Sequence, residues 1–410
     1  MASDRLYDLA VQYRKAKLWK KLTERQLFAV GLPDGERAYC SVMGAMGEHL
    51  ALGVYCGSKG FASLRELGEI KEEMPESERI FRAFGQDCMQ CAFEFKDMIP
   101  PEELEEIRDY GKRHHVAFRG SMAYPRLLRY RPYRTPLPLT DSEEEIMALA
   151  LEAALAVNKE LEQSKNNLLL IDGSFRDRKI PILEKEGEKF RWSEIPLPEA
   201  TQEFVTASLS NEILAGKVKR TKRKGELLCE LLLVPSPVAD EEDADEGFMP
   251  VALLILDGKT GMAFPSDLIK DFPAEKENLL VSLAETMLQE KIVPRSIRVR
   301  TDRTYAFLED FCKQTSIKLN KSPEDSLPIL DEVGEGMIDH VLGDEYPEDD
   351  EEYEGGHGSA MLPFLLAALE MATDKELKGM PRELKDMIRQ LFGTGVLPEH
   401  MERRMKKIFK

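Results

Sequence analysis

Residues 249–319 constrain this chain more than any other stretch. An apolar run, Val251-Ala-Leu-Leu-Ile-Leu256, meets Asp257-Gly258 and a second short apolar run. Helical, strand, helical and strand patterns then follow in turn. Strands alternating with helices of this length need a sheet with crossover helices, so the stretch reads as an α/β module. It contains two acidic residues at strand ends, Asp257 and Asp302, which any account of function must place.

With 410 residues the chain exceeds one ordinary core, and two or three domains are expected. A hydrophobic share of 42% and a charged share of 32% are those of a globular protein with a well-charged surface. The net charge of −18 argues against an extended nucleic-acid footprint, which needs a dominant basic face, and leaves room for a local basic patch. Six cysteines, at 40, 56, 88, 91, 229 and 312, are scattered through apolar runs, the habit of buried free thiols. No basic segment followed by an apolar core opens the chain, and no apolar run approaches the roughly 20 residues of a membrane span. The expectation is a cytoplasmic protein with no membrane contact.

Residues 1–138 read as one α+β domain. A helical stripe over 5–25 precedes two apolar runs joined by Pro33-Asp34-Gly35, a hairpin signal. Further strands are expected over 50–55 and 89–95, a helix from Phe61, and another from Pro100-Pro101 to about Lys112. Residues 126–138, rich in Arg, Tyr and Pro, suit an extended linker or edge. A central α/β domain is expected over 139–343. It opens with a helix from Thr140-Asp-Ser-Glu143 to about Glu162, followed by a hairpin around Asp172-Gly173, a helix over 198–214 and a strand over 226–234. The acidic and Gly-rich run 344–358 reads as a linker. Residues 359–410 read as a helical segment whose apolar stretch, 361–371, must bury against the body or a partner chain. The expected class is α+β, multidomain, with mixed sheets, flanking helices and an α-helical C-terminal tail.

The chemistry-bearing residues are few. Asp257 and Asp302 end two apolar strands, and Glu335 follows Asp302 by 33 positions. Carboxylates so placed hold two divalent metals in ribonuclease-H-like nucleases, and residues 250–340 resemble that superfamily through strand order and the Thr301-Asp302 step. The competing reading is structural: Asp257-Gly258 suits a type I′ turn, Asp302 suits a helix N-cap, and Glu335 lies in poor helical context between glycines. Lys217, Lys219, Arg220, Lys222, Arg223 and Lys224 form a basic run, a candidate polyanion site whose bland alternative is a solvated turn. Cys88-Met-Gln-Cys91 lies in a strand pattern, where positions three apart face opposite ways, so buried cysteines are expected. No phosphate loop, dinucleotide fingerprint, nucleophile elbow or zinc-protease motif is visible, and no cofactor is expected.

Two stretches resemble bacterial domains that have no assigned function. The first is carried by Leu27-Phe-Ala-Val-Gly-Leu-Pro-Asp-Gly-Glu-Arg-Ala-Tyr-Cys40, Gly44-Ala-Met-Gly47 and Gly53-Val-Tyr-Cys-Gly57. The second is carried by Leu254-Ile-Leu-Asp-Gly-Lys-Thr-Gly261 and Pro294-Arg-Ser-Ile-Arg-Val-Arg-Thr-Asp302. The resemblance brings no catalytic residues with it. The leading expectation is a non-catalytic binding or regulatory protein with a protein partner at its C-terminal segment. Nucleic acid ranks behind as a partner, and the alternative function is a metal-dependent nuclease of ribonuclease-H-like type.

Overall fold

The turn at Pro33-Asp34-Gly35 sets the first sheet. Leu32 N–H donates to the Glu36 carbonyl at 2.9 Å, Gly35 N–H donates to the Leu32 carbonyl at 3.0 Å, and Gly35 has φ +88°. This is a three-residue hairpin loop whose last position is left-handed, a conformation glycine takes without strain. It pairs β1 (Phe28–Gly31) antiparallel with β2 (Arg37–Met43), placing Phe28 opposite Cys40. β3 (Leu50–Cys56), β4 (Cys88–Glu94), β5 (Tyr124–Tyr130) and β6 (Leu137–Pro138) add in sequence, each antiparallel to the last. On the far side of β1, β7 (Lys179–Glu186) joins in parallel and β8 (Lys189–Pro196) closes the sheet. The order is β6-β5-β4-β3-β2-β1-β7-β8. The sheet therefore takes strands from both sides of position 138, where the sequence suggested a boundary.

Four helices pack on this sheet, α1 (Asp4–Ala16), α2 (Gly57–Gly68), α4 (Pro101–Arg113) and α5 (Asp141–Gln163), while α3 (Glu76–Phe84) turns its apolar side chains to the core of the second sheet. α1 and α5 bury Leu6, Tyr13, Met147 and Leu151 against one face, with Cys40, Val42, Val54 and Phe93. α2 buries Phe61 and Leu64 on the other, with Tyr39, Tyr55 and Ile182. Alternate residues of β2 thus feed opposite cores, as the pleat requires. α5 begins with a reciprocal cap: Thr140 N–H donates to the Glu143 carboxylate at 2.9 Å, and Glu143 N–H donates to Thr140 Oγ1 at 3.4 Å.

The second sheet grows from β9 (Glu226–Leu233), apolar along nearly its whole length. A short pair, β10 (Val238–Ala239) with β11 (Gly247–Phe248), stands apart from it. β12 (Val251–Asp257) lies antiparallel beside β9, flanked by β13 (Ala263–Phe264) and β14 (Leu268–Ile269). β15 (Ser296–Val299) lies parallel on the other side of β9, followed by β16 (Lys318–Lys321), also parallel. α6 (Glu212–Arg220), α7 (Phe272–Gln289) and α8 (Asp302–Thr315) cover one face through Leu227, Cys229, Leu231 and Leu233, and Phe81 of α3 enters the same core. α9 (Ile329–Gly343) covers the other face, with Leu330 buried against Leu228, Leu232, Leu254 and Leu256. The fold is multidomain α+β with a mixed sheet in each half.

Two expectations are corrected. The described residues 203–211 of the helix expected over 198–214 are not helical; α6 starts only after Asn211, whose side chain accepts from Leu214 N–H at 3.0 Å. Glu335 lies inside α9, because burial of the Leu330 face outweighs the cost of Gly334 and Gly336. Gly334 packs so closely that an added Cβ would meet Leu232 at 3.3 Å.

The computed structural model describes residues 2–47, 49–163, 179–199, 203–239 and 246–343, with Arg389, Arg404, Lys406 and Lys407. Residues 1–45 with 49–347 make up one compact unit; 46–48 with 348–410 make up a second. In the second, Arg389, Arg404, Lys406 and Lys407 are helical. The hairpin expected at Asp172, the linker over 344–358 and the rest of the expected tail lie outside the described residues.

Thr140 anchors the start of α5, the longest helix among the described residues, so Thr140→Ala should cost about 1 kcal/mol. A urea titration should show a lower midpoint with an unchanged slope.

Candidate functional site

Glu230 interrupts the apolar run of β9, on the face it shares with Leu228 and Leu232. The parallel register, Arg298 beside Leu228, brings Arg300 level with Glu230 at the carboxyl end of β15. Arg300 Nε and Nη2 donate to the Glu230 carboxylate at 2.6 and 3.1 Å; Nη1 and Nη2 donate to Asp331 of α9, each at 2.6 Å. Ser77 of α3 donates its hydroxyl to the same Glu230. Arg300 and Glu230 are 2% and 1% exposed, so the pairing takes place out of water. Buried charges are tolerable only when matched in this way.

A second pair lies one helical turn further on. Thr301 caps α8, accepting from Thr304 N–H at 3.2 Å, and this orients Arg303 toward α3. Arg303 Nε and Nη2 donate to Glu78 at 3.1 and 3.2 Å, and Nη1 donates to the Tyr133 hydroxyl at 3.2 Å. Glu66 lies at 3.5 Å, and the guanidinium stands over the Phe81 and Phe204 rings at 4.9 and 5.3 Å. Arg82 completes the group through Nε to Glu78 at 2.9 Å. Burial raises the Glu230 and Glu66 carboxyls despite their arginines, while the two carboxylates on Arg300 hold its charge firmly in place. The corner is an ion-pair lock, and α3 supplies Ser77, Glu78 and Phe81 to it.

The acidic residues singled out in the sequence do not meet there. Asp257 is opposite Leu227, and Leu227 is beside Ile297. Asp302 lies five residues past Ile297, about 15 Å along the strand direction, with β9 between. The register thus sets Asp257 and Asp302 at opposite ends of the sheet. Asp302 pairs with Lys321 at 2.6 Å, and its neighbour Thr301, not Asp302 itself, caps α8. Asp257 accepts from Lys259 N–H, Thr260 N–H and Thr260 Oγ1 at 3.0, 2.7 and 2.9 Å, which holds its carboxyl below the usual range. The type I′ expectation fails here: the left-handed residue of this turn is Gly261, and Gly258 is needed because a Cβ would meet the Glu226 carbonyl at 3.0 Å. Glu335 is exposed on α9. Among the described residues no group of three or more His, Cys, Asp or Glu side chains could hold a metal.

The basic run divides. Lys217, Lys219, Arg220, Lys222 and Lys224 are exposed. Arg223 is half-buried and caps the end of α8, donating to the Thr315 carbonyl at 2.8 Å and to the Ser316 carbonyl. Cys88 and Cys91 are buried in β4, and burial pushes both thiols up to about 12.

Sequence reasoning passed over the lock. One signal was available: a glutamate inside Leu227-Leu-Cys-Glu-Leu-Leu-Leu233 has no reason to be buried unless a cation meets it. Its partners, Arg300 at a separation of 70 residues and Ser77 at 153, leave no local trace.

Removing either partner strands the other. Glu230→Leu or Arg300→Met alone should cost about 3–5 kcal/mol, whereas the double variant should cost less than either. Denaturant unfolding of the four proteins checks this. The depressed Asp257 carboxyl contributes stability above its unfolded value near 4, lost as pH falls through the lower folded value. Asp257→Asn should therefore destabilise at neutral pH, and its deficit should shrink toward zero in acid unfolding series.

Two family models match the chain: Domain of unknown function (DUF7309) over residues 4–176 and Domain of unknown function (DUF6930) over residues 215–338. None of the curated proteins matches it. α3 lies within the first match and the Arg300–Arg303 corner within the second, so the lock ties the two together. The chain joins a DUF7309 domain to a DUF6930 domain.

Proposed function

We propose that the chain is a non-catalytic binding or regulatory protein. One observation carries the reading: Arg300 and Arg303 are matched by carboxylates of β9, α9 and α3 at the end of the second sheet. Open α/β sheets gather their ligands outside the carboxyl ends of the parallel strands. Here that rim is filled by Ser77, Glu78 and Phe81 of the first domain, and its charges hold two domains together. A guanidinium does not titrate near neutrality, and the carboxylates on it already have their partners. Such a corner suits fixing one domain on another better than proton transfer.

The test is a cleavage assay with plasmid DNA and structured RNA in Mg²⁺ or Mn²⁺, comparing the full chain with Asp302→Ala. Equal, background-level products are expected. Metal-dependent cleavage that disappears in Asp302→Ala would restore the nuclease reading.

A further inference from the structure

The opposite end of the second sheet is charged in the other sense. Three loops meet there, at the amino ends of β9, β15 and β16, and backbone hydrogen bonds join them. Lys224 N–H donates to the Val293 carbonyl at 2.8 Å, Arg295 N–H to the Gly225 carbonyl at 3.0 Å, and Lys318 N–H to the Arg295 carbonyl at 3.2 Å. Arg223 fastens the first loop to the third through the Thr315 and Ser316 carbonyls. This brings Lys291, Arg295 and Lys318, far away in sequence, to the run at Lys217–Lys224.

Eight exposed cations result: Lys217, Lys219, Arg220, Lys222, Lys224, Lys291, Arg295 and Lys318. Among the described residues none of the eight has an ion-pair partner, although the chain carries 75 acids against 57 lysines and arginines. The acids nearby are largely engaged: Glu226 is held by Ser296 and Arg298 at 2.9 Å each, Glu309 by Lys313 at 3.0 Å, and Asp257 by its own turn. Glu290, at the end of α7, and Glu212, in the first turn of α6, remain.

We infer that this pole binds the phosphate backbone of duplex nucleic acid, without reading its sequence. Three features select that ligand. Six of the eight cations are lysines, point charges suited to phosphates, whereas this protein meets its own buried carboxylates with arginine forks at Arg300 and Arg303. No aromatic residue stands in 217–225, 290–296 or 313–318, so the pole has no platform on which unpaired bases could stack. The apolar residues Val218, Val293 and Ile317 of these segments are buried and Ile292 is half-buried; Ile213, one turn before Lys217 on α6, is exposed but stands alone, too little apolar surface to anchor a protein partner. A duplex also offers the densest run of negative charge, about one per 1.7 Å, which a cationic pole on an otherwise acidic chain captures by releasing counterions.

This inference names a ligand for the binding reading above but uses different residues from the lock. The test is fluorescence anisotropy of a short labelled DNA duplex of mixed sequence with the full chain, from about 50 to about 200 mM salt. The wild type should bind with a steep negative salt slope. The surface variant Lys222→Glu, Lys224→Glu, Arg295→Glu, Lys318→Glu should lower affinity at least about a hundredfold and flatten the slope by roughly three to four. Because these side chains are exposed, its melting temperature should match the wild type. Failure of the wild type to bind, a slope unchanged in the variant, or polyglutamate bound as tightly as the duplex would each overturn the inference. Cleavage of the bound duplex would instead sink the non-catalytic reading and leave this one standing.

Discussion

Arg303 is the residue on which the arrangement of the first compact unit depends. Its guanidinium is 4% exposed, far from water, on a helix of the second sheet, while its carboxylate partner, Glu78, arrives from the first domain. A charge so buried is costly unless matched, and the carboxylates that match it, Glu78 of α3 at 3.1 Å and Glu66 of α2 at 3.5 Å, both come from the first domain. Apolar contact alone, Phe81 against Phe272, would favour association but tolerate sliding. The paired charges act only at one register. On this account the lock specifies how the domains meet more than it stabilises their meeting.

The same logic assigns roles to the two ends of the second sheet. At the carboxyl ends of β9 and β15 the charges are buried, forked and satisfied within the chain. At the amino ends they are exposed, mostly lysine, and unanswered among the described residues. Where charges are answered the fold is being held; where they are not, a solute of opposite sign can be. That contrast, more than any single motif, is what points to a binding protein.

What the sequence makes legible follows the range of each interaction. Strands of the first sheet and the hairpin at Gly35 rest on alternation and turn chemistry within a few residues, and the cap at Thr140 on a four-residue pattern. The segment of β7 reads as part of a central-domain hairpin and β8 goes unread, because a parallel pairing of β7 to β1 leaves no local mark. α9 was hidden by two glycines whose cost is outweighed by burial against β9 and β12. Five of the eight cations of the basic pole are visible as the run at Lys217–Lys224; the other three, Lys291, Arg295 and Lys318, gather only through backbone contacts between loops. The acidic pair Asp257 and Asp302 misled for a physical reason. A carboxylate ending a strand looks alike whether it binds metal or, as here, closes a turn or meets a lysine.

Native-state hydrogen exchange tests the lock most directly, because it reads the two sheets separately in one molecule. Under mild denaturant, core amides of β4 in the first sheet and β9 in the second should open together in the wild type, with one free energy and one denaturant dependence. In the double variant Glu66→Ala, Glu78→Ala, which leaves Arg303 buried without either carboxylate, the β9 amides should open at lower free energy than those of β4. If β4 and β9 already exchange independently in the wild type, or if Glu66→Ala, Glu78→Ala leaves their coupling intact, the two domains are not held by this charge lock.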